Sequence, residues 1–405
     1  MKKALKVIGG VLALVVVAGG AFALYIGHDY PVMKPTGSID VKAEPTPARL
    51  ARGKLLVSMR CGGCHYDQNT GALSGHEMLD APKQFGRLYS HNLTKHPTKG
   101  LARYTDGELA YLLRTGIRKD GHFTGPFMVS PFLADEDLAS IIAFLRSDDP
   151  WVAPKDADNK EIEPSFLTKL LLHVAWKPLA VPAAPIPVPD LKDQVAYGRY
   201  VVVGLGDCFT CHSADFKKLN VEVPEKSGGY LGGGNPMPDA TGRIIPTANL
   251  TMDPTGLGKW TEEEFVSTVR SGVRKDGKAL RFPMVPYPEL SEAEVRAAFA
   301  YLKTVPPIVN EVPRGWDAAA PVASASEGEK LYVRYACASC HGNTGVGICD
   351  LRKASEHYPG DDKLSAFIHD AGKFIVGTKM PTWNGVIAEN EYPHLIAHIH
   401  KLEGK

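Results

Sequence analysis

One short pattern, Cys-x-x-Cys-His, occurs three times and constrains this chain more than any other feature. It reads CGGCH at Cys61, Cys64 and His65, CFTCH at Cys208, Cys211 and His212, and CASCH at Cys337, Cys340 and His341. Six of the seven cysteines are committed in this way. In an exported chain, seven cysteines would ordinarily suggest disulfides, but this spacing argues otherwise. Zinc sites bring a second thiol pair about 12–20 residues after the first, and Cys208 lies far beyond that distance from Cys64. A redox dithiol gives no reason for a histidine after every pair.

The arrangement matches the requirements of covalent haem attachment. Two thiols about one helical turn apart can add to the two vinyl groups of one haem, while the adjoining imidazole reaches the iron from the proximal face. The sequence therefore predicts three haem c groups, attached through Cys61 and Cys64, Cys208 and Cys211, and Cys337 and Cys340, with His65, His212 and His341 as proximal ligands. Cys349 is left over, and is expected as a small buried side chain beside the third site rather than a reactive thiol.

A long internal repeat follows the first two motifs. NLTKHPTKGLARYTDGELAYLLRTGIRKDG begins at Asn92 and NLTMDPTGLGKWTEEEFVSTVRSGVRKDG at Asn249, with the register shifting by a single deletion. Such self-similarity marks a domain duplication. Each copy holds a capped amphipathic helix after Thr105 or Thr261 and ends in a second apolar helical pattern, with Phe144 and Tyr301 at matching places. Val201 to Val203 is the sole stretch resembling a strand, so the chain is expected to be mainly helical.

A thioether commonly completes the coordination of a proximal histidine in an electron carrier, from the loop before the last helix. Met128 in GPFMVSPF and Met284 in RFPMVPYP keep the register of the repeat. After His341 the remaining methionine is Met380, in VGTKMPTWNG, with His357, His369, His394, His398 and His400 as rival ligands. Iron with both axial positions filled by protein has no vacancy for oxygen, peroxide or nitrite, so the expected task is electron transfer rather than catalysis. A haem enzyme of peroxidase or reductase type, with one open axial site, is the competing expectation. Arg118 and Arg274, repeated in register, are candidate partners for haem propionates.

The N-terminus carries Lys2, Lys3 and Lys6 before an uncharged run from Val7 to Ile26. That run can cross a bilayer, and its length favours an uncleaved anchor over a secretory signal, although AFA at Ala21 to Ala23 would suit cleavage. Lysine-rich ends stay cytoplasmic, which places the rest on the outer face of a bacterial inner membrane, in the periplasm. Membrane lipid is thus one expected partner. Nucleic acid is not, because 46 Lys and Arg nearly cancel 45 Asp and Glu and no long basic run exists.

These readings divide the chain into an anchor or signal over residues 1–27, haem domains over 45–150, 191–308 and 324–405, and a linker over 151–190. That linker holds an apolar helix candidate, Phe166 to Trp176, too short to span a membrane, followed by a proline-rich connector.

Residues 45–405 resemble the membrane-associated triheme c-type cytochromes that serve as electron-transfer subunits of periplasmic dehydrogenases, including the quinohaemoprotein alcohol dehydrogenase type. The three attachment motifs, the segment from Asn249 to Gly277 and the methionine loops carry the resemblance. It implies an all-α chain of three cytochrome c domains in tandem behind a transmembrane helix, with axial methionines at Met128, Met284 and Met380. It also implies a periplasmic dehydrogenase as donor, and a terminal oxidase, the quinone pool or a soluble cytochrome as acceptor.

Overall fold

Local sequence chemistry fixes where the repeated helices begin and end. The hydroxyls of Thr105 and Thr261 accept from the amides of Glu108 and Glu264, whose carboxylates accept from the threonine amides in return. These reciprocal bonds satisfy amides that a helix start leaves unpaired. Gly116 and Gly272 then close the helices Asp106–Thr115 and Glu262–Ser271 with φ of 79° and 77°, a left-handed conformation that costs glycine little.

The structure, a computed structural model, describes residues 2–28, 30–33, 37–67, 69–78, 81, 83–239, 243–313, 325–346, 350–375 and 378–404. Cys349 lies outside the described residues. Helices dominate, as expected. Among the described residues the strands are two short antiparallel pairs, Gly86–Arg87 with Glu163–Pro164 and Pro236–Pro238 with Ile244–Pro246. Val201 to Val203 lie within a widened, π-type helical turn, Tyr200–Leu205, whose residues are all buried, which accounts for a valine run with no strand.

The contacts group the chain into two compact units. One comprises residues 1–44, 64–131 and 145–184, the other 45–63, 132–144 and 185–405.

In the first unit, the helix Lys2–His28 carries the apolar stretch, which is exposed from Val7 to Tyr25, with Ile26 buried. The helix Asp106–Thr115 turns Leu109 and Leu112 into a core with Leu73, Leu101, Phe123 and Trp151. Arg114 is buried there, its guanidinium donating to the carbonyl of Ser130 at 3.0 Å and to that of Pro131 at 3.2 Å.

In the second unit, one packing device recurs three times. Gly53, Gly198 and Gly328, each in the helix preceding an attachment motif, cross a later helix at close range. A Cβ on these glycines would lie 2.8 Å from the Cβ of Phe144, Tyr301 and His398 respectively, and nearer still to the carbonyls of Ser140, Ala297 and His394. Around the first two crossings, Arg52 donates to Asp137 at 2.8 and 3.0 Å and to Glu294 at 2.9 Å. Tyr200 and Tyr197 donate to the same two carboxylates at 2.6 and 3.1 Å. Every buried charge in this group therefore has a partner, the condition under which burial of ions is tolerated.

The third crossing leads to a core of Leu331, Tyr335, Leu364, Trp383, Tyr392 and Leu395, against which Cys337 and Met380 pack at the margin.

Gly198→Ala must push apart two helix backbones, an overpacking that costs about 1–3 kcal/mol. Gly404→Ala, with open space around it, is the neutral control. Guanidinium unfolding of the haem-loaded protein in detergent reads both, and equal midpoints for the two variants would refute the crossing as a tight contact.

Candidate functional site

Each attachment motif ends in a short helix that follows its crossing helix in the chain, with the π-type turns Ser58–Gly62 and Tyr200–Leu205 intervening at the first and second. The motif histidines end the segments Gly63–His65, Cys208–His212 and Ala338–His341. Asp207 and Ala336, just before the first cysteines of motifs two and three, adopt φ of 49° and 59°. That left-handed entry costs roughly 1–2 kcal/mol at a non-glycine residue, and it turns the chain sharply into the motif.

His65 and His212 are buried, 5% and 8% exposed. The Nδ1 of His65 donates to the carbonyl of His91 at 2.7 Å, and that of His212 to the carbonyl of Ala248 at 2.8 Å. A carbonyl can only accept, so the proton is on Nδ1 and the Nε2 lone pair is available to a metal. Burial moves the same way, pushing His65 down to about 4 and lowering His212, so both rings stay neutral.

The carbonyls come from the residues just before the repeated Asn-Leu-Thr. Asn92 Oδ1 accepts from the amide and hydroxyl of Thr94 at 2.9 and 2.6 Å, and Asn249 Oδ1 from those of Thr251 at 2.9 and 2.8 Å. Return bonds run from Gly75 to the His65 carbonyl and from Gly233 to the His212 carbonyl, at 2.9 and 2.7 Å. The repeat is thus a pair of asparagine-centred turns that orient two imidazoles. Sequence reasoning found the repeat and missed this role, although its recurrence after each of the first two attachment motifs was the available signal.

The thiols of Cys208, Cys211 and Cys337 are pushed up by burial to about 12, about 11 and about 12. A redox dithiol needs the opposite shift. No cluster of three or more His, Cys, Asp or Glu suited to a metal occurs among the described residues. Neutral imidazoles with Nε2 available, beside paired apolar thiols, are the donor set that haem c requires.

The methionines lie where the loops were expected. Met128 ends the single turn Gly125–Met128 and is half-buried, as is Met284. Tyr287, three residues after Met284, has its hydroxyl pushed up by burial, then by the neighbouring Cys208 and Cys211, so this loop faces the second attachment helix. Met380 and Cys337 share the margin of the third core. Three of the rival histidines have other engagements. His398 lies at the third crossing against Tyr332, its ring centroid 5.0 Å away, and His369 stacks on Tyr392 at 3.9 Å. His400 bridges Glu403 and Asp361, at 2.9 Å each. His357 and His394 are exposed. The arginines of the repeat are paired with protein carboxylates, Arg118 with Asp120 and Glu161, and Arg274 with Asp276.

Comparison with known proteins bears on the same segments. Residues 50–148 match the family model Cytochrome c, and residues 323–399 match Cytochrome C oxidase, cbb3-type, subunit III. The chain is 30% identical to the Gluconobacter oxydans "Alcohol dehydrogenase (quinone), cytochrome c subunit" over 74% of its length and 65% of the relative's. It is 28% identical to the Gluconobacter japonicus "Fructose dehydrogenase cytochrome subunit" over 76% of its length and 68% of the relative's. It is 26% identical to a "Diheme cytochrome c-type" of Cereibacter sphaeroides over 73% of its length and 97% of the relative's.

Two measurements test the site. Asn249→Ala removes a buried acceptor from Thr251, costs about 1–3 kcal/mol, and frees the turn that holds the His212 ring. The NMR signals of that imidazole should shift while those of His341 stay fixed; unchanged signals would refute the positioning role. His400 is raised above the ordinary histidine value by hydrogen bonds to Glu403 and Asp361. The stability it adds is therefore complete below about 6.5 and lost as pH rises through its folded pKa. His400→Gln should remove that part of the pH dependence of unfolding, and an unchanged profile would count against the bridge.

Proposed function

From a chain that carries cytochrome c domains with covalent haem c, and has homologues among the cytochrome c subunits of dehydrogenases, we propose a membrane-anchored three-haem electron relay. Three cytochrome c domains stand in tandem over residues 45–150, 191–308 and 324–405. The third crossing glycine and the second asparagine-centred turn support extending to every motif what the family models give for residues 50–148 and 323–399. Cys61 and Cys64, Cys208 and Cys211, and Cys337 and Cys340 attach the haems. His65 with Met128, His212 with Met284, and His341 with Met380 would hold the three irons.

The observation that carries the relay lies in the second unit, where parts of the three sites adjoin. Arg60, next to Cys61, donates to the carbonyls of Gly204 and Leu205 at 3.1 and 2.6 Å, on the approach to Cys208. Between the middle and third segments, the Thr382 amide donates to the carbonyl of Ser271 and the Ala279 amide to that of Tyr335, each at 3.1 Å. The ammonium of Lys379, beside Met380, lies 5.8 Å from the ring centroid of Tyr287 in the Met284 loop. These contacts favour the order first, second, third, with the middle site as the step between.

Haem c supplies a one-electron iron couple. The chain would hold it through the imidazoles, whose tautomers are fixed by carbonyls at His65 and His212, and through the methionine thioethers, which would raise its potential. Electrons enter from a periplasmic dehydrogenase and leave to a terminal oxidase, the quinone pool or a soluble cytochrome. The apolar N-terminal helix holds the assembly at the outer face of the inner membrane.

Haem should be present at three per chain by the pyridine haemochrome assay, and at two when Cys208 and Cys211 are both replaced by alanine. Met128→Ala, Met284→Ala and Met380→Ala should each abolish about a third of the near-infrared sulfur-to-iron band. Each should also create a site that binds carbon monoxide. Carbon monoxide binding to the unaltered protein, or an unchanged band in any of the three variants, would refute the ligand set.

A further inference from the structure

The helix Phe166–Val174 is apolar on the side that the protein leaves uncovered. Thr168 and Leu172 are buried, 3% and 1% exposed, and mark its inward face. Phe166, Leu167 and Val174 are 52%, 41% and 54% exposed, with Leu170 and Leu171 half-exposed between them. At helical spacing these five side chains form one stripe, turned away from Thr168 and Leu172.

The helix is held in this orientation. The Ser165 hydroxyl caps it by accepting from the Thr168 amide at 3.2 Å and donates to the carbonyl of Gln84 at 2.6 Å. Thr168 donates from Oγ1 to the carbonyl of Phe85 at 2.8 Å, and the strand pair Gly86–Arg87 with Glu163–Pro164 secures the approach. With its inward face occupied, the stripe cannot rotate inward.

The same helix packs on the end of the N-terminal apolar helix. Lys169 donates from Nζ to the carbonyl of Gly27 at 2.6 Å, and the rings of Tyr25 and His173 meet edge to face at 5.4 Å. An anchor leaves the bilayer at this end, where tyrosine and tryptophan favour the headgroup level. Trp176 follows the helix, its ring 5.7 Å from that of Phe85, and the Lys177 ammonium donates to the carbonyl of His173 at 2.6 Å.

We propose that the helix Phe166–Val174 lies in the surface of the bilayer that the N-terminal helix enters, its Phe166–Leu170–Val174 stripe among the lipid acyl chains as a second membrane contact. This rests on reading Lys6–His28 as an uncleaved anchor. A helix of this length extends only ~14 Å, far short of the ~30 Å hydrocarbon core, so it lies in the plane of the interface. The commitment to lipid rather than to a protein partner follows from continuity: the stripe adjoins the point where the apolar helix leaves the membrane.

The test uses the full haem-loaded chain with the photocrosslinker benzoylphenylalanine at one position, in vesicles of phosphatidylethanolamine and phosphatidylglycerol. Positions 170 and 174 probe the stripe, position 15 the anchor, and position 309, where Val309 is 82% exposed, the aqueous surface. Mass spectrometry should find lipid adducts at 15, 170 and 174 and none at 309. Adducts at 15 without any at 170 or 174 would overturn the surface contact and leave the anchor standing. Adducts at 170 and 174 without any at 15 would remove the anchor on which the proposal rests and overturn it as a second contact beside that anchor. Adducts at none of the three would remove both. In native membranes, crosslinks from 170 and 174 to a polypeptide instead of lipid would also overturn the proposal.

Discussion

A peptide carbonyl stands where a side chain would begin at Gly53, Gly198 and Gly328, and the rest of the second unit depends on that close approach. Helices that bring their backbones together can lodge an attachment motif immediately beyond the crossing, with little slack between the packed helix and the first cysteine. The Arg52, Asp137 and Glu294 group follows from the same geometry, since the guanidinium reaches both carboxylates only when the crossing helices lie side by side. Separating one helix pair would leave buried charges without partners, and breaking such a pair costs about 3–5 kcal/mol. Packing and electrostatics therefore favour the same arrangement, which is how a set of individually weak helices becomes cooperative.

The chemistry of this chain was more legible in its sequence than its architecture. Cysteine and histidine at fixed spacing have few physical explanations, and the capping boxes at Thr105 and Thr261 can be read from threonine and glutamate alone. The crossing glycines were not legible. One glycine inside a helical pattern resembles a weak spot until a partner backbone is known to pass over it, and this chain has 40 glycines. Asn-Leu-Thr was visible as a repeat, but its purpose depends on a carbonyl, which the side-chain sequence does not encode. Arg118 and Arg274 share more than their register, since each guanidinium is paired with an aspartate two residues away, a local contact that the repeat pattern alone does not reveal.

The C-terminal histidines were ambiguous in sequence because a ring can ligate, stack or carry charge. His398 falls at the position of Phe144 and Tyr301 in the helix crossing, so its ring serves as packing. His400, one turn segment further, is turned to solvent and to two carboxylates. Spacing of only two residues on a helix puts neighbouring side chains on different faces, so the two rings meet different chemistry.

The third core is completed by residues from the preceding segment. Val273 and Ala279 are buried in it together with Leu331, Trp383 and Tyr392, and both belong to the stretch between the helix Glu262–Ser271 and the Met284 loop. The Ala279 amide is bonded to the carbonyl of Tyr335, two residues before Cys337. Loosening the Met284 loop would therefore expose apolar surface of the third core and release a bond beside its attachment motif. Because the interior is close-packed rather than fluid, the spacing between these two sites is set by core packing instead of linker length. An electron relay needs that property, since transfer between fixed sites is set by a distance that thermal motion must not change.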